Sequence, residues 1–287
     1  MSSDLLAAIL LGLIEGFTEF LPVSSTAHLL VAQHWLGHRS EFFNIAVQAG
    51  AILAVVFVYR SRLGVLAAAV FVPAAAAPAA TDRAQPPRAY LTRLALAFSV
   101  TAVLGLAVKA LGWELSHAVT PIAWALILGA FWMLAAEHAT AGRPGQSPDE
   151  ASITWAGAVL VGVAQVVAGV FPGTSRSAAA IFVLLLLGVR NRGAAAEFVF
   201  LVGIPTILAA TAYALFDSLA HRPFGDMPWA DIGAGFVAAF LAASCAVRWL
   251  LHFIRVHRFT GFALYRLILG LVLLVWGEAS APMSMTG

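Results

Sequence analysis

Ten apolar stretches follow one another along this chain, at roughly 4–20, 24–36, 42–59, 90–111, 118–137, 152–170, 175–187, 194–216, 229–251 and 259–277. Crossing a bilayer takes about 20 helical residues. Six of the ten are near that length or reach it with little tilt. The stretches 24–36 and 175–187 have only about 13 residues each, and each follows a polar break that contains a proline. Segments that short do not span and read as the returning arms of re-entrant helix–loop–helix pairs. The expected fold is therefore an all-α integral membrane protein, a single domain over 1–287. It has six transmembrane helices and two re-entrant helix–loop–helix pairs, 4–20 with 24–36 and 152–170 with 175–187.

The charge content agrees. Only 10% of residues are charged, whereas soluble domains carry about 25%. The net charge of +2 is no argument for nucleic-acid binding, because no basic, aromatic-studded soluble face exists to carry it. Cys245, the single cysteine, excludes an internal disulfide and is expected to pack within its apolar run. The first basic residue is Arg39, and the first apolar run holds Glu15 and Glu19, so no secretory signal is expected there.

The two breaks resemble each other. Placing Pro22 on Pro172 sets Glu15 on Gln165, Ser24 on Thr174 and Ser25 on Ser175. Three long stretches follow each break. An odd number of crossings separates the halves, so 4–140 and 152–277 are expected to form an inverted-topology repeat whose broken helices meet near the midplane. Basic residues test the topology. Arg60, Arg62, Arg83, Arg88, Arg93, Arg143, Arg190, Arg192, Arg248, Arg255 and Arg258 fall on one side, and Arg39, Lys109 and Arg222 on the other. This bias makes the richer side cytoplasmic and both termini periplasmic. It also makes 72–88 a cytoplasmic linker and 141–151 the link between halves.

Chemistry concentrates at the breaks. Glu15 and Glu19, four apart, share a helix face, and each costs at least ~2.5 kcal/mol at membrane depth. Either they reach the interface or pair with Arg176, or they hold a hard cation, Mg2+ or Ca2+, that bridges phosphate oxygens. Ser24, Ser25 and Thr26 follow Pro22, where hydroxyls cap a new helix and its free N–H groups attract an anion. His28 lies one turn beyond them, either as a core histidine or as a proton carrier. In the second break Thr174, Ser175 and Ser177 accompany Arg176, which must pair with a carboxylate or bind an anion. Gln48 and Gln165 are either interhelical bridges or site residues. Glu197 is assigned to the cytoplasmic interface or to the Arg176 loop, and Arg266 is expected to snorkel. Two helix N-termini, an arginine and a carboxylate-held cation suit a diphosphate.

The run EGFTEFLPVSSTAHL, the later PGTSRS and Gln48 within AVQAG resemble the undecaprenyl-diphosphate phosphatase family of the bacitracin-resistance type, over about residues 4–277. The resemblance implies hydrolysis of undecaprenyl diphosphate, a polyprenyl lipid, to the monophosphate carrier lipid. It implies a divalent cation, a bacterial inner-membrane location and a role in recycling the carrier for cell-wall synthesis. Membrane lipids are the expected surroundings, and the sequence leaves the oligomeric state open. The family's motif residues map onto Glu15, Glu19, Ser24, Ser25, His28, Ser175, Arg176 and Ser177. Two positions depart from the family pattern, since Ala27 and Ala178 stand where glycine is usual. If those glycines have positive φ, alanine is strained; if they allow close approach, the methyls narrow the site; if they are helical, alanine is harmless. Ser25 is the expected nucleophile, or the residue that orients a water, with His28 relaying the proton. The rival is a polyprenyl-phosphate transporter of the same architecture that does not hydrolyse its cargo.

Overall fold

A computed structural model describes residues 3–71, 85–113, 118–140, 152–221 and 227–280. Eleven helices and no strand occur among them: α1 (Ser3–Thr18), α2 (Ser25–Leu36), α3 (Glu41–Val58), α4 (Arg60–Phe71), α5 (Pro87–Ala110), α6 (Val119–Thr140), α7 (Trp155–Val170), α8 (Arg176–Leu186), α9 (Arg192–His221), α10 (Trp229–Val256) and α11 (Thr260–Ser280). Six of them, α3, α5, α6, α9, α10 and α11, are long and apolar enough to cross a bilayer. Large apolar side chains such as Leu106, Phe131, Val237 and Val275 point outward, as a lipid-facing surface requires. The chain is a multi-pass membrane protein.

Helix starts follow from local chemistry. Ser40 caps α3 by accepting the Phe43 amide at 3.2 Å, and Thr154 caps α7 by accepting that of Gly157 at 3.0 Å. Pro87 opens α5, where its missing N–H costs nothing. The short pairs α1–α2 and α7–α8 each pack together. Helix α1 lies against α10 and α7 against α5, while α3 bridges α10 and α9, and α9 also touches α5. Close approach of α1 to α10 depends on small residues. A Cβ added to Gly16 would stand 2.8 Å from the Ala242 methyl, so a glycine is needed beside Glu15.

Several expectations need adjustment. Residues 60–71, given no element from the sequence, form α4, whose basic start and lack of a clear apolar face concealed it. Most of the expected linker 72–88 and all of 141–151 lie outside the described residues, and 87–88 already belong to α5. Cys245 is exposed on α10 rather than packed inside.

The register between the two breaks shifts by one. The residues immediately before the short helices are Ser24 (φ 70°) and Ser175 (φ 68°), the two non-glycine residues with positive φ among those described. The second break has one extra residue between its proline and its cap. Gly173 supplies it, at φ 102°, a conformation suited to glycine. Ser24 therefore matches Ser175, and Ser25 matches Arg176. The same shift places Ala27 on Ala178, the third residue of α2 and α8 respectively. Both alanines are helical and buried, so the strained alternative is excluded and their methyls belong to the packed interior.

Candidate active site

The two breaks meet through side chains. Glu19, one residue past α1, accepts a hydrogen bond from Ser25 Oγ on Oε2 at 2.6 Å and one from Arg176 Nη2 on Oε1 at 2.5 Å. Arg176 Nη2 also donates to Gln48 Oε1 on α3 at 3.3 Å. Ser177 Oγ donates to the Leu21 carbonyl at 3.3 Å and lies 3.1 Å from Ser175 Oγ. First-break and second-break residues thus share one hydrogen-bonded cluster. A cavity beside it is lined by Glu19, Gln165, Arg176 and Ser177 at its polar end, and by Ile52, Val199, Phe200 and Ile207 along its apolar walls.

Two buried groups in this region lack hydrogen-bond partners among the described residues. Glu15 has no exposed surface, and neither carboxylate oxygen accepts a hydrogen bond among the described residues. Its charged neighbours are Glu19 and Arg176. Gln165 is also buried, and its Nε2 has no acceptor among the described residues. A charge in such surroundings is costly unless something satisfies it. Two carboxylates presenting hard oxygens beside an unfilled donor are what a cation and an oxyanion would complete.

The remaining sequence-predicted residues take other places. Thr174 Oγ1 donates to the Phe171 carbonyl at 2.7 Å, within its own turn. Ser175 Oγ accepts the Ala178 amide at 3.4 Å, capping α8. Thr26 is exposed on α2, and Ser24 is buried at the strained cap. His28 turns away from Ser25: Nδ1 meets the Ser24 carbonyl at 2.7 Å, and Nε2 meets the Tyr265 hydroxyl at 2.6 Å. Glu197 pairs with Arg62 at 3.0 Å rather than with Arg176. Gln33 is a further buried polar residue of α2, bonded to Asn44 Oδ1 at 2.8 Å.

Arg266 overturns the expectation of snorkelling. It has no exposed surface and donates to five main-chain carbonyls. These are Pro22 at 3.4 Å, Gly173 at 3.1 Å, Thr174 at 2.9 Å, Ala125 at 3.2 Å and Leu126 at 3.4 Å. One guanidinium therefore ties both breaks to α6. Its path crosses Gly129, where a Cβ would stand 2.8 Å from the guanidinium carbon. The one available signal was its depth: an arginine within the run ALYRLILG demands an acceptor. Backbone acceptors leave no mark in a sequence, so that signal could not name the partners.

The family described as Bacitracin resistance protein BacA matches residues 8–272. The chain belongs to that family. Its relatives include several undecaprenyl-diphosphatases. That of Xanthomonas oryzae pv. oryzae (strain PXO99A) is 51% identical over 279 residues, covering 97% of this chain and 99% of the relative. The undecaprenyl-diphosphatase of Xanthomonas campestris pv. campestris (strain 8004) is 51% identical over 278 residues, 97% and 100% of the two chains. That of Xylella fastidiosa (strain 9a5c) is 50% identical over 273 residues, 95% and 98%. In this BacA-family chain the Glu19–Ser25–Arg176 cluster sits inside an otherwise apolar helical body.

Proposed function

We propose that this protein hydrolyses undecaprenyl diphosphate to undecaprenyl phosphate and inorganic phosphate in a bacterial inner membrane, returning the carrier lipid to cell-wall synthesis. The observation that carries the reading is the buried cluster in which Glu19 holds both Ser25 Oγ and Arg176 Nη2. Family membership supplies the substrate class. A serine, a carboxylate and an arginine in contact are the parts a phosphoryl transfer uses: nucleophile, proton acceptor and charge clamp.

In this reading Arg176, Gln48, Gln165, Ser177 and the free N–H groups at the start of α2 and α8 bind the diphosphate oxygens. Ser24, Thr26, Thr174 and Ser175 shape the turns that present those groups. Glu15 and Glu19 would hold Mg2+ or Ca2+, and the unpartnered, fully buried Glu15 carboxylate fits that role. When bound, such a cation neutralises phosphate charge and polarises phosphorus. Ser25 Oγ forms a bond to the terminal phosphorus, and the bond from that phosphorus to the bridging oxygen breaks. The electron pair leaves with undecaprenyl phosphate, and the serine proton passes to Glu19. Water then cleaves the phosphoserine and releases phosphate.

The arginine bias supports a topology with both termini on the periplasmic face, α1–α2 entering from that face and α7–α8 from the cytoplasmic one. The reading of 4–140 and 152–277 as inverted halves is supported by exchanged packing: α1 on α10 answers α7 on α5, and α3 on α10 answers α9 on α5. That architecture also suits a transporter, and polyprenyl-phosphate movement without hydrolysis is the second reading. The test is phosphate release from undecaprenyl diphosphate by detergent-purified protein with Mg2+, with Ca2+ and with chelator. Release that the chelator abolishes is expected. No release from folded protein under any of these conditions would leave transport as the leading reading.

A further inference from the structure

We infer that His28 is a positioning residue, not a proton carrier: it fixes the Ser24 carbonyl, and through it the aim of Ser25 Oγ, while Tyr265 locks its ring. The inference rests on the phosphatase reading for its activity tests. Its argument is geometric.

A carbonyl oxygen can only accept, so the 2.7 Å contact of Nδ1 with Ser24 O requires the proton on Nδ1. In the neutral ring Nε2 then accepts from the Tyr265 hydroxyl at 2.6 Å. Both nitrogens are thereby engaged. Tyr265 also stacks on the imidazole, with ring centroids 5.6 Å apart and planes 10° from parallel, which removes the remaining freedom of the ring. Ser25 Oγ is meanwhile bonded to Glu19. The His28 ring borders a cavity of about 350 Å³ with Trp249, Phe253 and Phe262, and this cavity shares no lining residue with the one holding Glu19 and Arg176.

What His28 touches is the point of strain. Ser24 sits at φ 70°, a conformation disfavoured for any residue with a side chain, immediately before Ser25. Such a conformation persists when its surroundings over-determine it. The second break shows the alternative solution. There Ser175 has the same φ, and its carbonyl accepts the backbone amide of Ala179 at 3.0 Å. His28 and Ala179 occupy corresponding positions, the fourth residue of α2 and of α8. In α2 the side chain of that residue engages the strained carbonyl; in α8 its backbone amide does.

The test compares His28→Asn, His28→Ala and Tyr265→Phe. The asparagine amide places a donor near the Nδ1 position but cannot carry a proton between groups. A positioning role predicts phosphate release within about tenfold of wild type for His28→Asn, with an unchanged pH–rate profile. His28→Ala should fall by about a hundredfold or more, chiefly in kcat, and Tyr265→Phe by about three- to tenfold. Equal loss in His28→Asn and His28→Ala, with one limb of the pH profile missing in both, overturns the inference. A second readout needs no turnover. The 15N spectrum of histidine-labelled protein, with the His28 signal identified by its absence in a His28 variant, should show the Nδ1–H tautomer. An Nε2–H tautomer overturns the inference even if wild type releases no phosphate, an outcome that would separately end the phosphatase reading.

Discussion

Replacing Arg266 by methionine should loosen both breaks at once. Methionine keeps most of the apolar volume of the stem but leaves five carbonyl oxygens without their donor. Ala125 and Leu126 lie inside α6, where the helical ladder still serves them. Pro22, Gly173 and Thr174 lie in the breaks, outside any helix. Leaving a buried acceptor unmet costs about 1–3 kcal/mol, so three of them cost roughly 3–9 kcal/mol. Relief of guanidinium desolvation, several kcal/mol for a buried ion, offsets part of this. Taking that relief as about 3 kcal/mol leaves a net loss centred near ~3 kcal/mol, equivalent to a fall in Tm on the order of 10 °C at the usual 2–4 °C per kcal/mol. Turnover should drop about a hundredfold, because a shift near 1 Å in the breaks misaligns Ser25 and Arg176. Arg266→Lys, with three donors for these acceptors, should fall between. The assay is thermal unfolding in detergent together with phosphate release. A methionine variant with Tm within about 2 °C of wild type and turnover within twofold would refute the idea that this guanidinium organises the site.

Two further outcomes follow from the same geometry. Ser25→Ala should lower phosphate release at least about a thousandfold while leaving the fold intact, since its hydroxyl is the group bonded to Glu19; loss of less than tenfold would favour direct attack by water. Ala27→Gly and Ala178→Gly, each buried in the first turn of its helix, should cost up to about 1 kcal/mol apiece in stability and bring no gain in turnover. Turnover clearly above wild type in the double glycine variant would show that the two methyls narrow the site after all.

The segment pattern made most of this fold legible. Apolar length separated the six long helices from α1, α2, α7 and α8, because hydrocarbon thickness sets a length that composition cannot hide. The polar breaks were legible for a related reason: Glu19, Ser25 and Arg176 have no cause to lie at such depth unless they meet one another or a ligand. Other features depended on things a sequence does not display. The register shift at Gly173 is a matter of backbone dihedrals. Helix α4 has no strong apolar face. His28 looked like a partner for Ser25 because they are three residues apart on one helix, yet its ring rotates toward Tyr265, 237 positions away in sequence. Arg266 finds main-chain oxygens, which every residue offers equally.

The central claim is that residues of the two breaks act as one catalytic unit, and a double-mutant cycle on phosphate release tests it most directly. Glu19→Gln and Arg176→Gln should each lower kcat/KM at least about a hundredfold in protein that remains folded. The double variant should be no more than about tenfold worse than the poorer single, because groups that work as a unit are lost together. Full multiplication of the two losses, or either single variant within tenfold of wild type, would contradict a composite site.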